Sequence, residues 1–315
     1  MNKLIISGIL IVLLASCHPP GNPIPGKPVI SVSILPQRYF LKRLAGDRVE
    51  VNVMVPPGAS PATYDPTATQ LALLEHSHQY MKMGYLGFEL GWMEKITSVN
   101  PRMKVVDLSG RIDIMGMEDH VGPGPVHGYT PEDTGHEGEH LHEKNREKED
   151  HFHGGADPHL WMSARNAKMI AAAMYEALLG LIPGEQDWLT ENFNMLVHDL
   201  DSLDQVISFM LAGLEGRHFM IYHPALTYFA RDYGLVQVSL EQEGKEPSPG
   251  HMKWISDLGK ELGVSSIFVQ SQFDQANAEV LASEIGAGIV RINPLDEDWY
   301  NQMLYIASRL EASMQ

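Results

Sequence analysis

Cysteine is almost absent, Cys17 being the only one in 315 residues. This excludes a disulfide framework and any Cys-type zinc site. A metal would have to use His, Asp, Glu, Asn, Gln or water. Basic residues are scarce too, 23 Lys and Arg against 40 Asp and Glu, for a formal charge of −17. That balance excludes nucleic acid as a partner, because phosphates require Lys and Arg. It suits solubility and the attraction of cations. No apolar run reaches the ~20 residues that a membrane-spanning helix needs. The run Leu4 to Leu14 is short and broken by Ser7 and Gly8. Apolar residues are also nearly missing between His120 and His153.

What is present begins with Lys3 and that short apolar run, the pattern of a signal peptide. Leu14-Ala15-Ser16-Cys17 is similar to the bacterial lipoprotein signal, in which cleavage precedes a cysteine that is then lipidated. Residues 1–17 are therefore expected to be a signal peptide, with Cys17 the lipidation site. Residues 18–27, rich in Pro and Gly, are expected to be a tether. The expected location is extracytoplasmic, lipid-anchored to a bacterial membrane on its periplasmic side or at the cell surface.

From Val29 the pattern alternates between short apolar runs and helical stretches. Strands are predicted over Val29–Leu35, Val49–Val55, Gln79–Met83 and Lys104–Asp107. Helices are predicted over Gln37–Leu44, Thr67–Leu74, Phe88–Ile96 and Asn166–Leu181. Then Leu189, Phe193, Leu196, Leu200, Leu203, Ile207, Met210 and Leu214 recur every three or four residues. That stripe predicts one helix about 40 Å long at 1.5 Å per residue. It is apolar on one side only, as a connector lying along two domains would be.

After Gly216 the alternation restarts. Strands are predicted over Phe219–Tyr222, Val236–Leu240, Ser266–Val269 and Ile289–Ile292. Helices are predicted over Ala225–Tyr233, His251–Leu262, Ala276–Ile285 and Trp299–Leu310. The expected fold is α/β: two four-stranded parallel-sheet domains joined by one long rigid helix. The expected divisions are an N-terminal domain over 28–182, a linker helix over 183–215 and a C-terminal domain over 216–315. A His-rich loop over 118–155 interrupts the first domain.

That loop holds His120, His127, His136, His140, His142, His151 and His153 among Gly, Pro, Asp and Glu. Such composition reads as an auxiliary metal-binding segment. His136-Glu137-Gly138-Glu139-His140 matches the letters of the zinc-protease pattern. Gly138 and the lack of an apolar anchor deny it the stable helix that such chemistry needs. In parallel sheets, ligands bind beyond the carboxyl ends of the strands. His223, Glu241, Gln242, Glu243 and Asn293 all follow predicted strands, and His159 lies on the long connection after the fourth. The seventeen methionines read as core filler.

Several motifs extend this reading: Pro57-Gly58-Ala59-Ser60-Pro61, Gly87-Phe88-Glu89, Asp157-Pro158-His159-Leu160-Trp161, Tyr222-His223-Pro224-Ala225, Glu243-Gly244-Lys245-Glu246-Pro247-Ser248-Pro249 and Asn293-Pro294-Leu295. With them the chain resembles the solute-binding proteins of bacterial ABC importers for zinc and manganese, most closely the zinc-uptake members with an acidic His-rich loop. The resemblance covers essentially the whole chain after the tether. It implies a metal-type periplasmic binding protein, a monomer that is not an enzyme. Such a protein would carry Zn²⁺, with Mn²⁺ as the alternative, to a membrane permease. Carried over by position, His159 and His223 stand where the family has two metal-binding histidines. Two other customary positions depart: Ala62 stands in place of a histidine, and Asn293 in place of an aspartate. The missing donors would come from Gln242, Glu241 or Glu243, from a loop histidine, or from water. A metal-storage or adhesin lipoprotein would need the loop but not the two histidines. A metal-dependent hydrolase would need a general base beside an open metal position.

Overall fold

The computed structural model describes residues 26–116, 155–241, 247–273 and 276–314. Cys17, the seven loop histidines, Gln242 and Glu243 lie outside these described residues.

The first sheet contains β1 (Val29–Val32), β2 (Glu50–Val53), β3 (Ser77–Lys82) and β4 (Lys104–Asp107), in the order β2-β1-β3-β4. All its pairs are parallel. Every residue of β1 is buried, as expected of a central strand covered on both faces. The crossover helices are α1 (Leu35–Ala45), α2 (Ala68–Leu73) and α3 (Gly87–Val99), and α4 (Ala164–Leu181) follows the long connection. Helix α1 begins two residues earlier than the periodicity predicts. Pro36 occupies its first turn, and Gln37 Oε1 accepts from the Ser33 and Ile34 amides at 2.9 Å. Strand β2 is shorter than predicted. Met54 and Val55 stay bonded to Val32 and Ser33 but have left the regular ladder.

The predicted connector is α5 (Gln186–Met210), 25 residues long. Leu189, Leu196, Leu200, Leu203 and Ile207 are its buried stripe, each worth about 1.5–3 kcal/mol relative to exposure. Helix α5 packs against α1 and α4 of the first lobe and, farther along, against α9 (Trp299–Met314) of the second. No single helix among the described residues is long and apolar enough to cross a membrane.

The second sheet repeats the first in architecture. Strands β5 (His218–Ile221), β6 (Val236–Ser239), β7 (Ser266–Gln270) and β8 (Gly288–Ile292) run parallel in the order β6-β5-β7-β8. Helices α6 (Thr227–Tyr233), α7 (Pro249–Leu262) and α8 (Ala276–Ile285) connect them. Helix α7 starts at Pro249 because Ser248 caps it, its side chain accepting from the His251 amide.

One core runs from the first lobe through α5 into the second, taking in Phe40, Leu203, Phe219 and Trp299. A smaller core lies under α7 and α8, around Tyr222, Leu240, Ile255 and Leu281. The lobes are joined by buried contacts. The Trp161 indole donates to Pro294 O at 2.7 Å, and the Trp299 indole donates to Trp161 O at 2.9 Å. Phe40 packs on Trp299, with ring centroids 5.0 Å apart. Arg38 and Lys42 pair with Glu297 at the half-exposed rim, where ion pairs add little. The methionines are largely core, Met54, Met81, Met174, Met220 and Met303 being fully buried.

Candidate metal centre

In each sheet the chain leaves the first strand for one neighbour and later returns on the other side. This makes a crevice at the carboxyl ends of β1/β3 and of β5/β7. His223 stands at the second crevice, two residues beyond β5. Gln270, the last residue of β7, grips its backbone: Nε2 donates to His223 O at 2.6 Å, and Oε1 accepts from His223 N at 3.3 Å. Phe273 stacks on the His223 ring at 4.7 Å and 22°. Glu241, just after β6, places Oε2 2.5 Å from Nδ1.

His159 arrives from the first lobe in a tight turn. Asp157 Oδ1 accepts from the His159 amide at 2.7 Å and meets its Nδ1 at 2.8 Å. Asp157 is itself anchored, its amide donating to Met115 O and its carbonyl accepting from the Tyr228 hydroxyl. The Trp161 ring lies against the His159 ring, centroids 5.4 Å apart.

The two histidines meet, His159 Nε2 standing 3.2 Å from His223 Nε2. With a carboxylate oxygen against each Nδ1, the tautomers that suit this arrangement carry the ring protons on Nδ1 and donate them to Asp157 and Glu241. Both Nε2 atoms are then acceptors standing 3.2 Å apart, an arrangement that a cation bound by both relieves. A tetrahedral zinc with Zn–N bonds of about 2.0–2.1 Å sets its nitrogen donors roughly 3.3 Å apart. Carboxylates behind ligating imidazoles are the usual support of such sites. Burial pushes the His223 imidazole pKa below its ordinary value. Glu241 opposes that shift, and the neighbouring His159 adds to it.

The other candidates make their described bonds elsewhere. Glu241 is across the ring from Nε2. Asn293 Oδ1 accepts from Gln272 Nε2 at 3.0 Å and its Nδ2 donates to Asp296 Oδ2 at 3.1 Å, so its side-chain bonds go elsewhere than to the histidine pair. Its neighbour Pro294 nevertheless holds Trp161. Ala62 is exposed on a loop pinned to the start of α3, where Phe88 N donates to Pro61 O at 2.7 Å. A Cβ on Gly87 would come within 2.6 Å of Ala62 O, so only glycine allows this approach. Among the described residues no three His, Cys, Asp or Glu side chains cluster as a metal cage. His78 uses Nδ1 to accept from the Val29 amide at 3.1 Å. His198 is exposed on α5, and His251 stacks on Trp254.

Sequence reasoning did not assign Asp157, Gln270 and Phe273 to this site. The spacing of Asp157 and His159 carried a signal, since a carboxylate two residues before a histidine can reach both its amide and its ring. Gln270 closes the motif Ile267-Phe268-Val269-Gln270, which points to the family but not to a role, and Phe273 carried no signal, because both roles exist only beside His223.

Residues 30–312 match the family described as zinc-uptake complex component A, periplasmic. A crystal structure of ZnuA superposes with a TM-score of 0.78 at 33% identity, covering 92% of this chain and 100% of that one. A ZnuA deletion mutant with zinc bound gives the same score and identity, covering 92% and 98%. The zinc-binding lipoprotein AdcA of Streptococcus pneumoniae is 25% identical over 274 residues, 86% of this chain and 50% of that protein. The chain thus spans about half the length of that streptococcal relative. With nearly the whole described chain matched, it belongs to the zinc-uptake complex component A family of periplasmic solute-binding proteins.

Proposed function

We propose that this protein is an extracytoplasmic receptor that captures Zn²⁺ between its lobes on His159 and His223 and delivers it to the permease of an ABC importer. Its anchor to the membrane is a lipid on Cys17. Capture and release need no covalent chemistry. The observation that carries the metal reading is the 3.2 Å approach of two Nε2 atoms, each with a carboxylate on its far nitrogen. Two nitrogen donors suit zinc, whereas manganese favours carboxylates and water. Zinc takes about four ligands. Water, Gln242, Glu243 or a histidine of the 120–153 segment completes the shell, with Asn293 available after a side-chain rotation.

The decisive experiment is calorimetry on the metal-stripped chain. Replacing His159 and His223 together by Ala should abolish the tightest Zn²⁺ site, and deleting 120–153 should leave it in place. Unchanged stoichiometry and affinity in the double variant would overturn the reading. Manganese titrated in parallel should bind more weakly than zinc. Changing Cys17 to Ser should release the protein from membranes without altering zinc affinity.

A further inference from the structure

The two histidines are held in different ways. His159 is wired locally, because Asp157 binds both its amide and its ring and Trp161 lines its face, all within five residues of chain. His223 has no such local support. A local bond, Ala225 N donating to His223 O at 2.8 Å, holds only its backbone; the carboxylate on its ring comes from the end of β6, the Gln270 clamp from the end of β7 and the stacked ring from Phe273 just beyond it.

The turn after β7 begins at Gln270, which is buried and spends both ends of its amide on the His223 backbone. It is closed by a hydrogen bond from Phe273 N to Gln270 O. The closure brings the Phe273 ring flat against His223 and within 5.8 Å of Tyr222. Gln272, between them, donates to Asn293. The outer torsion of histidine has broad, shallow preferences, so the side chain does not aim itself. The backbone clamp fixes where the ring starts, and the stacked face fixes how it is turned.

We propose that Gln270 and Phe273 are positioning residues for metal capture: the turn after β7 aims His223 Nε2 at His159 Nε2, and so sets how long the ion is held. The inference rests on the reading of His159 and His223 as the zinc donors. A flat neighbour is needed, so leucine, which fills space without a face, should not serve, whereas tyrosine should.

The test uses the full chain, with zinc affinity measured by competition against a fluorescent chelator and geometry read from the visible bands of bound Co²⁺. Phe273→Leu should weaken zinc roughly tenfold, as loss of supporting groups around metal ligands does, and should alter the Co²⁺ bands. The melting temperature of the metal-free protein should stay unchanged. Phe273→Tyr should restore both readouts. Gln270→Leu should weaken zinc similarly, and if it fails to fold the Phe273 pair decides. Wild-type affinity and Co²⁺ bands in Phe273→Leu would overturn the proposal. So would a loss of affinity that merely follows a loss of melting temperature. The His159→Ala/His223→Ala variant separates the two failures. If it keeps the tight site, the donor assignment falls and this inference falls with it. If it loses the site while Phe273→Leu binds normally, only the positioning role falls.

Discussion

Glu241 Oε2 lies 2.5 Å from His223 Nδ1, across the ring from the nitrogen that faces His159. The carboxylate is buried, only 8% exposed. In the proposed site it would support a donor instead of being one, by fixing the tautomer and raising the basicity of the far nitrogen. Glu241→Ala should therefore weaken zinc binding by about 10–100-fold without changing stoichiometry. Glu241→Gln, which can still accept through its carbonyl, should lose less. Chelator competition on the two variants checks this, and equal affinity in all three proteins would contradict it.

Position 62 offers the converse experiment. The resemblance places a histidine where this chain has Ala62, and the loop is already pinned against α3 through Pro61 and Phe88. Ala62→His should add a nitrogen donor. Zinc affinity should rise by at least about tenfold, equivalent to about 1.4 kcal/mol, and Co²⁺ bands should move toward a more complete nitrogen shell. No gain would mean that the loop does not face the pair.

Burial dominates the His223 imidazole and lowers its pKa from the ordinary 6.5. The unfolded chain then takes up a proton as pH falls through 6.5, while the folded chain resists until lower pH. This group's contribution to stability is thus present above 6.5 and lost as pH falls through the folded value. Urea unfolding of the metal-stripped protein between pH 7.5 and 5 should show that loss, and His223→Asn should flatten it. Zinc must compete with the same proton, so the depressed value should let capture persist somewhat below pH 6.5.

Glu89 behaves in the opposite sense. It sits at the crevice of the first sheet, 2% exposed, accepting from the Met83 and Gly84 amides at 2.7 Å and from the Ser33 hydroxyl. Burial raises its pKa above the ordinary carboxylate value, although those hydrogen bonds pull the other way. Its stability contribution is complete below the ordinary value and declines as pH rises through the raised one. Glu89→Ala should cost roughly 1–3 kcal/mol for each donor left unpaired, read from denaturant midpoints. The pH slope due to this group should vanish in the variant.

Much of this architecture was legible in the chain because it is written in local periodicity. Lys104–Asp107 and Ala276–Ile285 form where the pattern places them, and the stripe from Leu189 to Met210 becomes α5, which ends before Leu214. The ends were less legible. Leu35 reads as the tail of a strand, yet it opens α1, because Pro36 and the Gln37 side chain build a helix start there. His159 and His223 were found by motif and by their places after strands. Their supporting groups were read unevenly: Glu241 was a possible ligand, Gln270 was only the end of the motif Ile267-Phe268-Val269-Gln270, and Phe273 was not read at all.

By itself the sequence determined two sets of strand–helix units, a long one-sided helix between them, and a donor set without thiols. Each follows from burial patterns or composition that no distant partner can change. Only the tertiary structure decided that His159 and His223, 64 residues apart, bring their Nε2 atoms to 3.2 Å. It also decided that Asp157 and Glu241 stand behind them rather than between them. That arrangement depends on β5 lying beside β7 and on Trp161 and Trp299 joining the lobes. These are pairings between distant segments, and the direction of a ring nitrogen is set by whatever packs around it.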